Sequence, residues 1–113
     1  MMYLPTSVTF RFTDILRGLI AQPIMWQYGF QLGFIDATVL QKRNPHDYMK
    51  DFFSEIPMYR HCERVTEIVS DSVSSAASIE TNLYEAYKSL LAENIVDDRE
   101  MITLENWLRD IGK

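Results

Sequence analysis

One cysteine, Cys62, is all this chain of 113 residues contains, so no internal disulfide can close. That points to a reducing compartment or says nothing about the compartment. Glycine is scarce too, with four residues, none of them grouped into a phosphate-cradling loop. G-x-S-x-G is also missing, so neither a self-contained nucleotide-dependent enzyme nor a serine nucleophile is supported. No apolar run approaches the ~18 residues of a membrane span, because Asp14, Arg17 and Asp36 interrupt the one candidate region. The start has no basic stretch leading into an apolar one, so no signal peptide is expected. Basic charge is thin: the formal net charge is -5, and no cluster exceeds the pair Lys42-Arg43. Phosphate backbones demand a basic face, so nucleic acid is not an expected partner. No internal repeat is visible.

What remains is a chain with 47% hydrophobic and 12% aromatic residues, enough for one packed domain and against disorder. Tyr3–Phe12 reads as extended. Pro5 biases Leu4 away from the α region, and Val8, Phe10 and Phe12 alternate with Thr9 and Arg11 at strand period. Thr13 is a plausible N-cap, with Asp14 in the first turn. The helix it opens carries Ile15, Leu16, Leu19, Ile20, Ile24 and Met25 inward and ends near Gly29, with Pro23 kinking or shortening it. Within Phe30–Leu40, β-branched Ile35, Thr38 and Val39 favour strand.

"QKRNPHD", Gln41–Asp47, is a polar turn. Asp47 caps a helix whose inward face is Tyr48, Phe52 and Ile56, and Pro57 breaks or restarts it. Met58, Cys62, Val65, Val69 and Val73 continue at helical spacing. Ser70–Ser78 is a candidate linker. Ile79, Leu83, Ala86, Tyr87, Leu90 and Leu91 make the next amphipathic face. "DDRE", Asp97–Glu100, offers a capping box for a last helix.

The fold class expected is therefore α+β and mainly helical: strand, helix and strand over residues 3–41, then three or four helices over 47–112. A few strands at one end cannot close a sheet. The chain thus reads as a single segment, 1–113, from the C-terminal part of a larger α/β protein, with a complete small α+β domain as the alternative.

Two clusters carry candidate chemistry. Arg11, Asp14 and Arg17 stand three apart at the expected strand-to-helix junction. Asp14 and Arg17 can pair as a surface ion pair, or they can face a sugar hydroxyl, with an Arg beside them to grip it or a phosphate. In "KRNPHDY", Arg43, Asn44 and His46 lie in a Pro-fixed turn suited to a phosphate or hydroxyl-rich ligand. His46, His61 and Cys62 fit no zinc spacing. Asp47, Asp51 and Glu55, stacked every fourth residue, read as a solvated helix face.

"LPTSVTFRFTDILRGLIAQPIMW" with "GFIDATVLQKRNPHDYMKDF" resembles the C-terminal region of STELLO-type glycosyltransferases, relatives of the reversibly glycosylated polypeptides (UDP-arabinopyranose mutases). "LYEAYKSLLAENIV" and "LENWLRDI" resemble the mutases' tail. The resemblance implies the C-terminal part of a GT-A-type fold, the acceptor side of an enzyme that uses a nucleotide sugar. It assigns Asp14 as catalytic base or acceptor ligand, oriented by Arg17. Arg43, Asn44 and His46 become substrate-binding residues near donor phosphate or sugar, and Arg11 is a further substrate-binding candidate. The partners implied are the upstream nucleotide-binding half of the same protein, the nucleotide sugar and the acceptor. That half, with any Asp-x-Asp, is not in this sequence. No cofactor or metal is therefore expected in this segment, and a divalent metal would belong to the full-length protein. Val39-Leu40-Gln41 stands where the mutases have Trp-His-Ser. The rival reading is a non-catalytic helical interaction module docking through Tyr84–Tyr87 and Trp107.

Overall fold

A computed structural model describes residues 3–42 and 44–112. Its elements are four helices: α1 Phe10–Gln27, α2 Tyr48–Ser72, α3 Ile79–Ala92 and α4 Asp98–Ile111. Among the described residues no strand forms. The α+β expectation is overturned, and with it the GT-A fold that strands at the N-terminal end were to begin.

The reason lies in Phe12. It alternates with Phe10 at strand period, but it also stands four residues before Leu16, which is followed by Ile20 and Ile24. All four are 0–1% exposed, a continuous helical stripe that needs Phe12 inside the helix. α1 therefore starts at Phe10 with Thr9 as N-cap, and Thr13 and Asp14 lie beyond the positions expected for them. Pro23 costs α1 one backbone rung without ending it. The helix closes at Gly29, whose φ of 76° allows a Schellman arrangement: Gly29 N–H donates to Trp26 O and Phe30 N–H to Met25 O, both at 3.1 Å. Asn94, at φ 56°, ends α3 in the same way, through bonds from Asn94 and Ile95 to Leu91 and Leu90.

Residues 31–42 and 44–46 form no helix or strand, with a bend at Asp36, and no backbone–backbone hydrogen bond among the described residues. β-branched residues favoured a strand there, but a strand needs a neighbour and none is within reach. Phe34, Ile35 and Leu40 are 92%, 85% and 101% exposed. This arm expands the molecule to a radius of gyration of 15.3 Å, against ~13 Å for a compact chain of this length.

α2 and α3 both pack on α1, and α4 packs on α3. α2 runs through Pro57 instead of breaking. Its second half supplies Val65, Ile68 and Val69 to the core. Tyr48 and Phe52, expected inward, are 83% and 49% exposed. The Ser-rich stretch is shared: residues 70–72 finish α2, and 73–78 connect to α3. Asn82, buried, holds that connection: its Oδ1 accepts from Ser74 N (2.9 Å), and its Nδ2 donates to Ser74 O (2.8 Å) and the Tyr28 hydroxyl (3.1 Å). The Tyr28 hydroxyl in turn donates to the Ala77 carbonyl.

The N-terminal segment closes the core. Tyr3 is buried, edge-on to Tyr87 and Trp107 at centroid distances of 5.3 and 5.5 Å. Its hydroxyl donates to the carboxylate of Glu100, which is fully buried. Glu100 Oε2 also accepts from the backbone N–H groups of Thr6 (2.7 Å) and Ser7 (2.6 Å). The expected capping box is thus half formed. Asp97 caps the Glu100 N–H at 3.1 Å, while Glu100 reaches across to residues 3–7 instead of back to Asp97.

Candidate functional site

The polar turn before α2 and the first turn of α1 meet. Thr9 Oγ1 donates to Ser54 O at 2.7 Å, fixing the start of α1 against α2. Asp47 caps α2 by accepting from Met49 N and Lys50 N at 3.1 Å each. The capped turn sets His46 beside Asp51, one turn into α2, and α1 brings Arg11 to the same carboxylate. Arg11 Nη2 lies 2.5 Å from Asp51 Oδ2, and His46 Nδ1 lies 3.2 Å from it. His46 Nδ1 is also 3.3 Å from Arg11 Nη2. It accepts from Arg11 when bare and donates to Asp51 when protonated.

These three residues wall an open cavity of about 410 Å³, within the ~300–1,000 Å³ of small-molecule sites. Asn44 and Glu55 add polar groups to its lining, and Tyr48 and Phe52 add aromatic rings. The Asn44 and Glu55 side chains make no hydrogen bond or ion pair with other described residues, which leaves an amide and a carboxylate for a ligand.

The Arg11 hydrogen bond holds the Asp51 carboxyl below its ordinary 3.8, with burial opposing and His46 assisting. A depressed folded pKa stabilises the fold above the unfolded value and loses that contribution as pH falls through the folded one. A carbon-detected NMR titration is expected to place the Asp51 midpoint below 3.8, and Arg11→Ala is expected to raise it. An unchanged midpoint in the variant would show that Arg11 does not act on Asp51 in solution.

The structure thus brings together Arg11, Asn44 and His46 of the residues expected to bind substrate. Asp14 and Arg17 stand apart from the cavity. Asp14 has an 81% exposed side chain 3.8 Å from Arg17, and Arg17 borders a narrow cleft with Tyr3, Leu83 and Tyr87. Arg43 lies outside the described residues. Asp51 and Glu55 were missed because their i, i+4 spacing also suits a solvated face; the usable signal was their position one and two turns beyond the cap at Asp47. Among the described residues, no three His, Cys, Asp or Glu side chains gather as a metal-holding set. No helix there is long and apolar enough to cross a membrane.

No curated protein and no solved structure matches the chain. The profile of a family described as STELLO glycosyltransferases matches residues 11–113, which spans α1 from its second residue, the cavity and every later helix. The chain belongs to the STELLO glycosyltransferase family.

Proposed function

We propose that this chain is the acceptor-side portion of a nucleotide-sugar-dependent glycosyltransferase, with the donor site on an upstream half of the same protein. The observation that supports this reading best is the family match over residues 11–113. The convergence of Arg11, Asn44, His46, Asp51 and Glu55 on one cavity adds to it. In this reading the cavity holds one part of the substrate, and Asp14, outside the cavity lining and one helical turn on from Arg11, is the base that takes the proton of an acceptor reaching past the cavity along α1. Arg17 orients Asp14. Kinship with the UDP-arabinopyranose mutases is part of the same proposal, resting on the turn and tail segments quoted above.

Inactivity of the isolated chain follows from the proposal. Calorimetry of the 113 residues is expected to show no micromolar binding of UDP-sugars, and product assays to show no transfer. Micromolar binding would place a donor site within these helices and overturn the division of labour. The interaction-module reading depends on Tyr84, Tyr87 and Trp107. Tyr87 is 1% exposed and Trp107 packs on Tyr3, so those two rings serve the interior.

A further inference from the structure

We infer that the Arg11–Asp51 cavity is a subsite for an uncharged sugar ring and not for a phosphate or nucleotide. The inference rests on the glycosyltransferase reading and names the part of the substrate that this surface takes. Charge decides first. The described lining residues carry one cation, Arg11, against two carboxylates, Asp51 and Glu55. Arg11 is already engaged, 2.5 Å from Asp51 Oδ2. An entering phosphate would meet Glu55 with no unspent guanidinium among the described lining residues to offset it, and like charges at short range repel.

Shape and polarity point the same way. A pyranose has an apolar C–H face and a rim of hydroxyls. The C–H face suits an aromatic ring, whose π-cloud is electron-rich. Phe52, 49% exposed, is held against Tyr59 and Phe53 at centroid distances of 6.2 and 6.1 Å, and Tyr48 lies on the same cavity wall. The hydroxyl rim needs acceptors and donors close to that face. Glu55 supplies two acceptor oxygens, and Asn44 supplies an acceptor and two donors. The ion pair with Asp51 keeps Arg11 fixed at the cavity wall.

The test is an amide-shift NMR titration of the 113-residue chain with methyl α- and β-pyranosides of glucose, galactose, mannose, xylose and arabinose. Sodium phosphate and UMP are titrated in parallel. Kd for one ring is expected near ~1 mM or above, with saturable shifts confined to Arg11 and Asn44–Glu55. Phosphate and UMP are expected to leave those amides unmoved. Phe52→Ala, at a half-exposed position, should keep the spectrum folded and weaken the best pyranoside at least ~10-fold, since a stacked ring contributes on that scale. Glu55→Gln should weaken it too. Shifts at these residues from phosphate or UMP but from no pyranoside would overturn the inference and still leave a substrate-binding surface for the glycosyltransferase. Failure of every probe at ~100 mM, two decades above the expected Kd, would overturn it as well. The broader reading fails separately, if Arg11→Ala and His46→Ala leave turnover of the full-length enzyme unchanged.

Discussion

Glu100→Ala is expected to cost about 3–5 kcal/mol of folding stability, because it leaves several buried donors without their acceptor at ~1–3 kcal/mol each. The carboxylate is fully buried and is the acceptor for Tyr3 Oη and the backbone N–H groups of Thr6 and Ser7. With alanine there, four donors lose the carboxylate at once, the Thr6 hydroxyl at 3.3 Å among them, and a space opens beneath the Tyr3 ring. A domain has only about 5–15 kcal/mol in total, so the melting temperature should fall by ~10–20 °C at roughly 4 °C per kcal/mol. Glu100→Gln keeps the shape and one acceptor oxygen, and should lose less than half as much. The comparison therefore isolates the hydrogen bonds from the packing. Burial, and after it the hydrogen bond to Glu100, pushes the Tyr3 hydroxyl well above its ordinary 10.0, so it stays a donor throughout the working range. Urea unfolding of the two variants measures the effect. A loss under ~1 kcal/mol for Glu100→Ala, the size of an exposed ion pair, would mean that residues 3–7 are not docked in solution.

Asp14→Asn in the full-length enzyme is expected to lower turnover by ~100-fold or more, the scale of general-base catalysis. Its effect on stability should stay below ~1 kcal/mol, as for a surface ion pair. The two effects separate because Asp14 touches nothing in the core. Its side chain is 81% exposed, and its charged neighbour Arg17 is 3.8 Å away. Asparagine nearly preserves shape and hydrogen-bonding capacity and removes only charge and basicity. Turnover and melting temperature must be measured on the same preparation. A stable variant with near-normal turnover would return Asp14 to the status of a solvated residue on α1, and the proton would then have to be taken elsewhere.

Helices were legible where two signals agreed. Asp47 and Asp97 each cap the helix expected of them, whereas Ser78, read as the end of a linker, caps α3. The fold class was misread where one residue served two periods. Phe10 and Phe12 fit a strand, Phe12 and Leu16 fit a helix, and burial decided for the second. Pro57 was given breaking power that the surrounding packing overrides. In the site, the turn Asn44–Asp47 was readable from its residue types alone. The clasp of Arg11 on Asp51 was not, because it joins residues 40 apart in sequence through a helix start that the strand reading had moved. Glu100 was read as a local cap and acts at long range. A carboxylate at the third helical position satisfies either role, and only the docked N-terminal segment distinguishes them.

That segment separates two kinds of boundary. The family match begins at residue 11, inside α1, yet the packed core includes Tyr3. A chain trimmed to the matched span would lose Thr9 and its bond to Ser54, which aligns α1 with α2. It would also strip the buried carboxylate of every donor from residues 3–7. The inherited unit and the unit that folds are offset by about two helical turns' worth of sequence. Those few residues lie outside the matched span, and through Tyr3, Thr6 and Ser7 they tie the start of the chain to Glu100 in α4.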